Sequence, residues 1–444
     1  MAWTRIIALS AASSLWLFSA LLRFDLQTRA EAASLEDTRT GITGTSGNDV
    51  IDSGQPLDVN TILETTSDED VTTTATGIDG LAGHDQITDN AAITTRASSR
   101  IDAPYVPFRL CGTSSKSYSY GLRGGDASDV LLNLATILST STSYTKIVEV
   151  IMQIDLGVVA WPTSSTAYAT GIEGGNTPDV IENNGTVNVT ATSETLVKEA
   201  RISAVEIPLE SSVVTDGKTT AASTAIGITG DLMIGTPSLT PHLAEVLSNR
   251  GVLSAVANAT STTEQAMVEL VGAARLDDST TAEAYSAGIL GGVNDNLITN
   301  YQTIRSEAVS SAHMTSVELK MKGLMLEAAF DLFGIDVGTF ETAADSTAVG
   351  MGGGPGDDIL INKGTGGSGE IEVSAKANAD SEIYTFSIAP PLGGGGGEKQ
   401  AAAALTAGGL SLEDLSAATA AGETSSAYGD ASTRATSSAV GILG

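Results

Sequence analysis

The sequence predicts an all-β solenoid built from about seven imperfect repeats, and three observations carry that expectation. A Gly followed by an apolar residue recurs at Gly41, Gly77, Gly121, Gly171, Gly227, Gly288, Gly350 and Gly441. All but the last anchor are followed by the same string: a turn reaching an acid or amide, then an apolar residue, an Asn-like residue and a second apolar residue. Around the anchors, small or apolar side chains alternate with polar ones in period two, which marks strands with one buried face. A unit this short cannot close a core alone, so its copies must stack.

The columns of the repeat define its elements in order. Small residues on one parity, such as Ala167 and Ala169 or Ala284 and Ser286, predict a strand running into each anchor Gly. The Gly-rich turn that follows ends at Asp49, Asp85, Asp129, Asp179, Glu245, Asn296 and Asp358, with Glu245 delayed by an insertion over 231–244. An apolar column then holds Ile51, Ile87, Leu131, Ile181, Leu247, Ile298 and Leu360, predicting a short second strand. Ser53, Asp89, Asn133, Asn183, Asn249, Asn300 and Asn362 close it. Gly follows at 185, 251 and 364, which makes this a bend. A longer strand begins at Leu57, Ile93, Ile137, Val187, Leu253, Ile304 and Ile371.

A further apolar stretch, Ile147–Met152 or Val317–Met321, reads either as more of the same coil or as a second coil. Gly41 and Gly77 are 36 residues apart and Gly350 and Gly441 are 91, so the return segment varies while the core stays constant. Solenoids confine insertions to loops in this way. The Asn column is either an ordinary turn signal or a ladder in which buried amides bridge side chain to backbone up the stack. Its recurrence in successive copies favours the ladder.

Composition narrows the function. The chain has 444 residues, 22 basic against 53 acidic, and a formal net charge of −31. Nucleic acid is excluded as a partner, because phosphate binding needs clustered Lys and Arg. Anionic membrane surfaces are disfavoured for the same reason. A single Cys, Cys111, permits no internal disulfide framework and reads as a small buried residue, so stability must come from stacking.

Residues 1–32 read as a signal peptide, with Arg5, an apolar run Ile6–Leu22 and a small-x-small site at Ala30-Glu31-Ala32. An uncleaved anchor is the rival reading, and no later stretch is apolar enough to span a membrane. Export to the cell surface or medium is the expected localisation. Residues 33–389 form the repeats and 390–434 a Gly/Ala/Ser/Thr-rich spacer containing Gly393–Gly397. Residues 435–444 begin a further repeat that stops after its anchor, so the array is expected to continue.

Strings such as Asn183 to Val187 resemble the right-handed parallel β-helix of bacterial surface proteins and autotransporter passengers, over about residues 36–444. That resemblance implies a non-catalytic structural or adhesive protein whose partner is carbohydrate or protein at a cell surface. Gly44–Ile51 and Gly353–Leu360 also resemble the haemolysin-type (RTX) calcium-binding nonapeptide. This second resemblance implies Ca²⁺ held by Asp49, Asp85, Asp129, Asp179, Asp357 and Asp358. In that family the copies are tandem, whereas here tens of residues separate them.

Two stacked carboxylates about 4.8 Å apart repel by about 0.9 kcal/mol in water and about 3.5 kcal/mol at an effective dielectric of 20. A cation would answer that repulsion. Turn N–H groups would also answer it, each Asp capping its own turn.

Nothing in the chain marks a catalytic centre. His84, His242 and His313 lack ligand spacing, and no hydrolase, zinc or phosphate-loop motif is present. The alternative function is a β-helical polysaccharide lyase or glycoside hydrolase, which needs paired acids, a base and aromatics. Its candidates, Asp277-Asp278 and Asp68-Glu69-Asp70, read as solvated loop charge.

Overall fold

The computed structural model describes residues 34–106, 112–153, 162–203, 214–231, 245–269, 275–293, 295–321, 338–363, 369–388 and 430–443. The leader, Cys111 and Gly393–Gly397 lie outside the described residues.

The chain winds through three strands per turn. Coil 1 holds β1 (Ser34–Thr43), β2 (Val50–Asp52) and β3 (Leu57–Thr65). Coil 2 holds β4 (Asp70–Asp79), β5 (Gln86–Asp89) and β6 (Ile93–Val106). Coil 3 holds β7 (Thr113–Gly125), β8 (Val130–Asn133) and β9 (Thr136–Gln153), and coil 4 holds β10 (Thr163–Gly175), β11 (Val180–Asn183) and β12 (Thr186–Ser203). Coil 5 holds β13 (Val214–Asp231), β14 (Glu245–Asn249) and β15 (Val252–Glu269). Coil 6 holds β16 (Arg275–Leu290), β17 (Asn296–Asn300) and β18 (Ile304–Met321). Coil 7 holds β19 (Gly338–Gly352), β20 (Ile359–Asn362) and β21 (Ile371–Ile388), and β22 (Asp430–Leu443) opens an eighth.

Like strands of successive coils pair in parallel, giving a first sheet of eight strands and second and third sheets of seven each. The molecule is a parallel β-helix. The long strand β9 carries Ile147–Met152 without a break, so each repeat is one coil and not two. β22 begins at Asp430, inside the stretch expected to be spacer.

The registers reproduce the sequence columns. Ile87, Leu131, Ile181, Leu247, Ile298 and Leu360 are paired in line on the second sheet. Ile93, Ile137, Val187, Leu253, Ile304 and Ile371 do the same on the third. Each coil therefore contributes one large apolar residue per sheet to a single axial core, for example Ile78 with Ile87 and Ile93, or Ile172 with Ile181 and Val187. Full burial of each such side chain is worth about 1.5–3 kcal/mol.

Away from this triad, with larger side chains at Val71, Ile101 and Ile147 and at Phe340 and Met314, the space between the first and third sheets is filled mostly by small ones. In coil 4 these include Ala167, Ala169 and Ala191. In coil 3 they are hydroxyls that bond across the gap: Ser117 to Ser141 at 2.6 Å, Ser115 to Thr145 at 2.7 Å, and Ser139 to Ser119 at 2.9 Å. Ser141 and Ser143 also donate to the carbonyls of Ser117 and Ser115. These coil 3 hydroxyls are thus satisfied, as a dry interior favours.

The anchor Gly is required by close approach. A Cβ on Gly77 would lie 2.5 Å from both the Gly121 carbonyl oxygen and Ile93 Cγ2. The strand must press against the next coil and the third sheet at once, and no side chain leaves room for both.

Candidate functional site

The structure brings Asp49, Asp85, Asp129 and Asp179 into one axial column at the start of the second sheet. Their role is to join coils. The backbone N–H of Asp49 donates to Asp85 Oδ1, that of Asp85 to Asp129 Oδ1, and that of Asp129 to Asp179 Oδ1, each at 2.7 Å. Asn296 N–H donates to Asp358 Oδ1 at 3.0 Å in the same manner. Capping within one's own turn, as expected, occurs at Asp49, whose Oδ2 accepts from Thr45 N–H at 2.5 Å. Asp357 sits one residue ahead of the column, exposed, and its N–H bonds Asp295 Oδ1 at 3.0 Å.

The turn Gly makes room for the carboxylate. A Cβ on Gly80 or Gly124 would come within 2.6 Å of Oδ2 of Asp85 or Asp129 respectively. Those two oxygens are buried and accept no hydrogen bond among the described residues. Burial therefore raises the pKa of both acids, against the backbone N–H bonds and His84, which lower it; Asp129 is pushed up to about 6.

The donor set does not suit calcium. Ca²⁺ gathers six to eight oxygens at roughly 2.3–2.6 Å. Here one oxygen of Asp85, Asp129, Asp179 and Asp358 is already an N–H acceptor and the other lies against a turn Gly, while Asp49 accepts from its own turn through Oδ2. Among the described residues no group of three or more His, Cys, Asp or Glu is arranged to hold a metal ion.

The Asn column is a second ladder, and it runs side chain to side chain. Nδ2 of Asn133 donates to Asn183 Oδ1 at 2.7 Å, Asn183 to Asn249 at 2.7 Å, Asn249 to Asn300 at 2.8 Å and Asn300 to Asn362 at 2.9 Å. Oδ1 of Asn133, Asn183, Asn249 and Asn300 also takes the N–H two residues on in its own bend, such as Ala135 or Gly185. Asp89 occupies the same column in register with Asn133 but has no donor to pass on. Its Oδ1 accepts from Ser53, and its buried Oδ2 accepts nothing among the described residues. Burial raises its pKa.

A third feature lies on the outer face of the first sheet. Outward residues beside the anchor Gly are buried although no sheet covers them: Thr76, Thr170, Ile226, Ala287 and Val349 before it, Glu173 and Thr229 after it. The burial of these outward side chains, in line on successive strands, marks a shallow trough along the stack. Tyr118 and Tyr168 are register partners there, with ring centroids 6.4 Å apart, and Tyr120 lies 5.7 Å from Tyr168. Asp79, Arg123 and Glu173 follow one another on successive strands. Arg123 Nε lies 3.3 Å from Glu173 Oε1, and its guanidinium carbon lies 5.1 Å from the Tyr120 ring centroid.

Burial raises the Glu173 pKa against the opposing pull of Arg123. It works against the Arg123 charge, yet Glu173, Tyr120 and Asp79 hold the guanidinium protonated. Tyr120 and Tyr168 are pushed up, chiefly by burial and then by Glu173.

The sequence columns contained this cluster unread. Tyr118, Tyr168 and Tyr285 fall three residues before an anchor Gly, Tyr120 one before, and Arg123 and Glu173 two after. Asp277-Asp278, expected in a loop, instead begins a strand. Asp278 is buried in β16 and accepts from Gly217 N–H at 2.8 Å and Gln265 Nε2 at 2.7 Å.

Fold and ladders together define the class, a three-sheet parallel β-helix with internal acid and amide ladders. No protein-family model matches this chain, and no curated protein or solved structure is detectably similar to it. Among the described residues no helix is long and apolar enough to cross a membrane.

Proposed function

We propose that this protein is an exported structural and adhesive solenoid of the cell surface or medium, without catalytic activity. The observation that carries the reading is the pair of axial ladders. They tie coil to coil through buried hydrogen bonds and make a stiff acidic rod from small residues without disulfides. Such a rod needs no oxidising chemistry and tolerates variable loops, both useful outside a cell. The apolar start and small-x-small site of residues 1–32 support export.

Expression from Met1 in a secreting bacterial host, with fractionation and N-terminal sequencing, tests the proposal. A product beginning near residue 33 outside the cytoplasm is expected. Retention in the cytoplasm with an intact Met1 would sink it.

A β-helical lyase or glycoside hydrolase is the second reading, and the two acids Asp79 and Glu173 beside Tyr120 favour it. Glycosidases need two carboxyl groups facing each other across the scissile bond. Here Arg123 occupies the strand between Asp79 and Glu173, so the acids flank a cation. Release of reducing ends or unsaturated products from polysaccharides would establish the enzymatic reading and overturn the first.

A further inference from the structure

We infer that the trough on the outer face of the first sheet, over coils 2 to 4, is a binding site for an uncharged glycan chain. This deepens the adhesive reading by naming its ligand.

Three observations converge. The first is aromatic surface: Tyr118, Tyr120 and Tyr168 are each partly exposed, with the Tyr118 and Tyr120 ring centroids 6.4 and 5.7 Å from that of Tyr168. Tyrosine offers rigid apolar area with a polar tip, which suits the C–H face and hydroxyl rim of a pyranose. The second is Arg123, whose side chain is 41% exposed and pinned by Glu173 through Nε, which leaves its terminal N–H groups for a ligand. The third is Glu173 Oε2, buried and accepting no hydrogen bond among the described residues.

A buried acceptor beside an exposed donor is an incomplete hydrogen-bond arrangement, costly unless something completes it. A sugar hydroxyl accepting from the terminal N–H groups of Arg123 completes the exposed side of that arrangement.

Charge selects the ligand. Glu173 already balances Arg123, Asp79 adds a second negative charge in the same row, and the whole chain carries −31. A uronate or sulfated chain would bring its anions against an unmet acceptor and a repelling field. A neutral hexose chain meets neither. Coils rise by about 4.8 Å, close to the length of a pyranose unit, so a chain lying along the trough would place successive sugars on successive coils. Beyond coil 4 the same line turns apolar at Ile226, Ala287 and Val349, which bounds the polar site.

Native affinity electrophoresis of the purified full chain tests this, in gels containing cellulose-type β-glucan, xylan, galactomannan or starch, with polygalacturonate as the charged comparison. Working with purified protein separates this result from any failure of export. Retardation by at least one of the four neutral polysaccharides, and none by polygalacturonate, is expected. Tyr120→Ala and Tyr168→Ala should weaken binding by about tenfold or more, while Tyr120→Phe stays within about twofold.

Arg123→Lys keeps the charge but loses the planar donors, and should weaken binding several-fold. It decides the matter if the alanine variants do not fold. Three results would overturn the inference: no retardation by any neutral polysaccharide, stronger retardation by polygalacturonate, or folded variants that bind as the wild type does.

Discussion

Replacing Asp129 by Asn should stabilise this protein at neutral pH and leave it unchanged in acid. Oδ1 of Asp129 accepts the Asp85 N–H at 2.7 Å, and an amide oxygen can do the same. Oδ2 is buried and accepts nothing among the described residues, so ionisation there meets an uncompensated cost. The molecule already contains the remedy in coil 6. There Asn296 occupies the column and its Nδ2 donates to Gly353 O at 3.0 Å and to Asp358 Oδ1 at 2.8 Å. Gly174 and Asp179 stand in the same relation to position 129.

The Asp129 pKa rises from 3.8 to about 6. Ionising the group at pH 7.5 against such a shift costs about 3 kcal/mol unscreened, and about 1–2 kcal/mol once solvent at the turn is allowed for. The sign follows from proton binding. The folded state binds more protons than the unfolded state between pH 3.8 and about 6, so stability is lost as pH rises through that window. Asp85 shifts in the same direction; His84, which lowers both pKa values, opposes them.

Urea melts followed by circular dichroism at pH 4, 5, 6 and 7.5 provide the assay. Comparing D129N with the wild type cancels the general relief of charge repulsion in acid. D129N should be more stable by about 1–2 kcal/mol at pH 7.5, with the difference vanishing by pH 4. A variant less stable at pH 7.5, or a difference independent of pH, would refute the reasoning.

Asp89→Asn should extend the amide ladder by one rung and raise stability at pH 7.5 by about 1–2 kcal/mol, read from the same melts. Asn183→Ala removes the partner of Asn133, Asn249 and the Gly185 N–H together, and should cost about 2–4 kcal/mol. Gly171→Ala places a Cβ 2.6 Å from the Gly227 carbonyl oxygen; loss of the folded circular dichroism signal, or a melting point many degrees lower, is expected. Millimolar Ca²⁺ should leave the thermal midpoint at pH 7.5 unchanged, because Oδ1 of Asp85, Asp129 and Asp179 is held by an N–H and Oδ2 is closed off against a turn Gly; a clear rise would restore the calcium reading of the Gly–Asp turns.

The repeat was legible because stacking enforces it. Ile87, Leu131 and Ile181 align in sequence and in register because each must fill the same place in an identical cross-section. The Asn column was legible for the same reason, though not its direction. Amides two residues before a Gly announce a bend, but only the inter-coil spacing shows that side chains reach one another.

What the sequence alone determined is the period, the inward parity and the order of turn, short strand, bend and long strand. Those depend on local alternation and on residues that no other position tolerates. What only the tertiary structure decided is where the acids and outward tyrosines end up. Asp129, expected as a calcium ligand or the cap of its own turn, accepts the N–H of the coil before it. Tyr120, Arg123 and Glu173, up to 53 residues apart in the chain, meet because parallel coils place distant residues side by side on neighbouring strands. A single chain read along its length carries the composition of each coil, and the meeting of coils exists only across it.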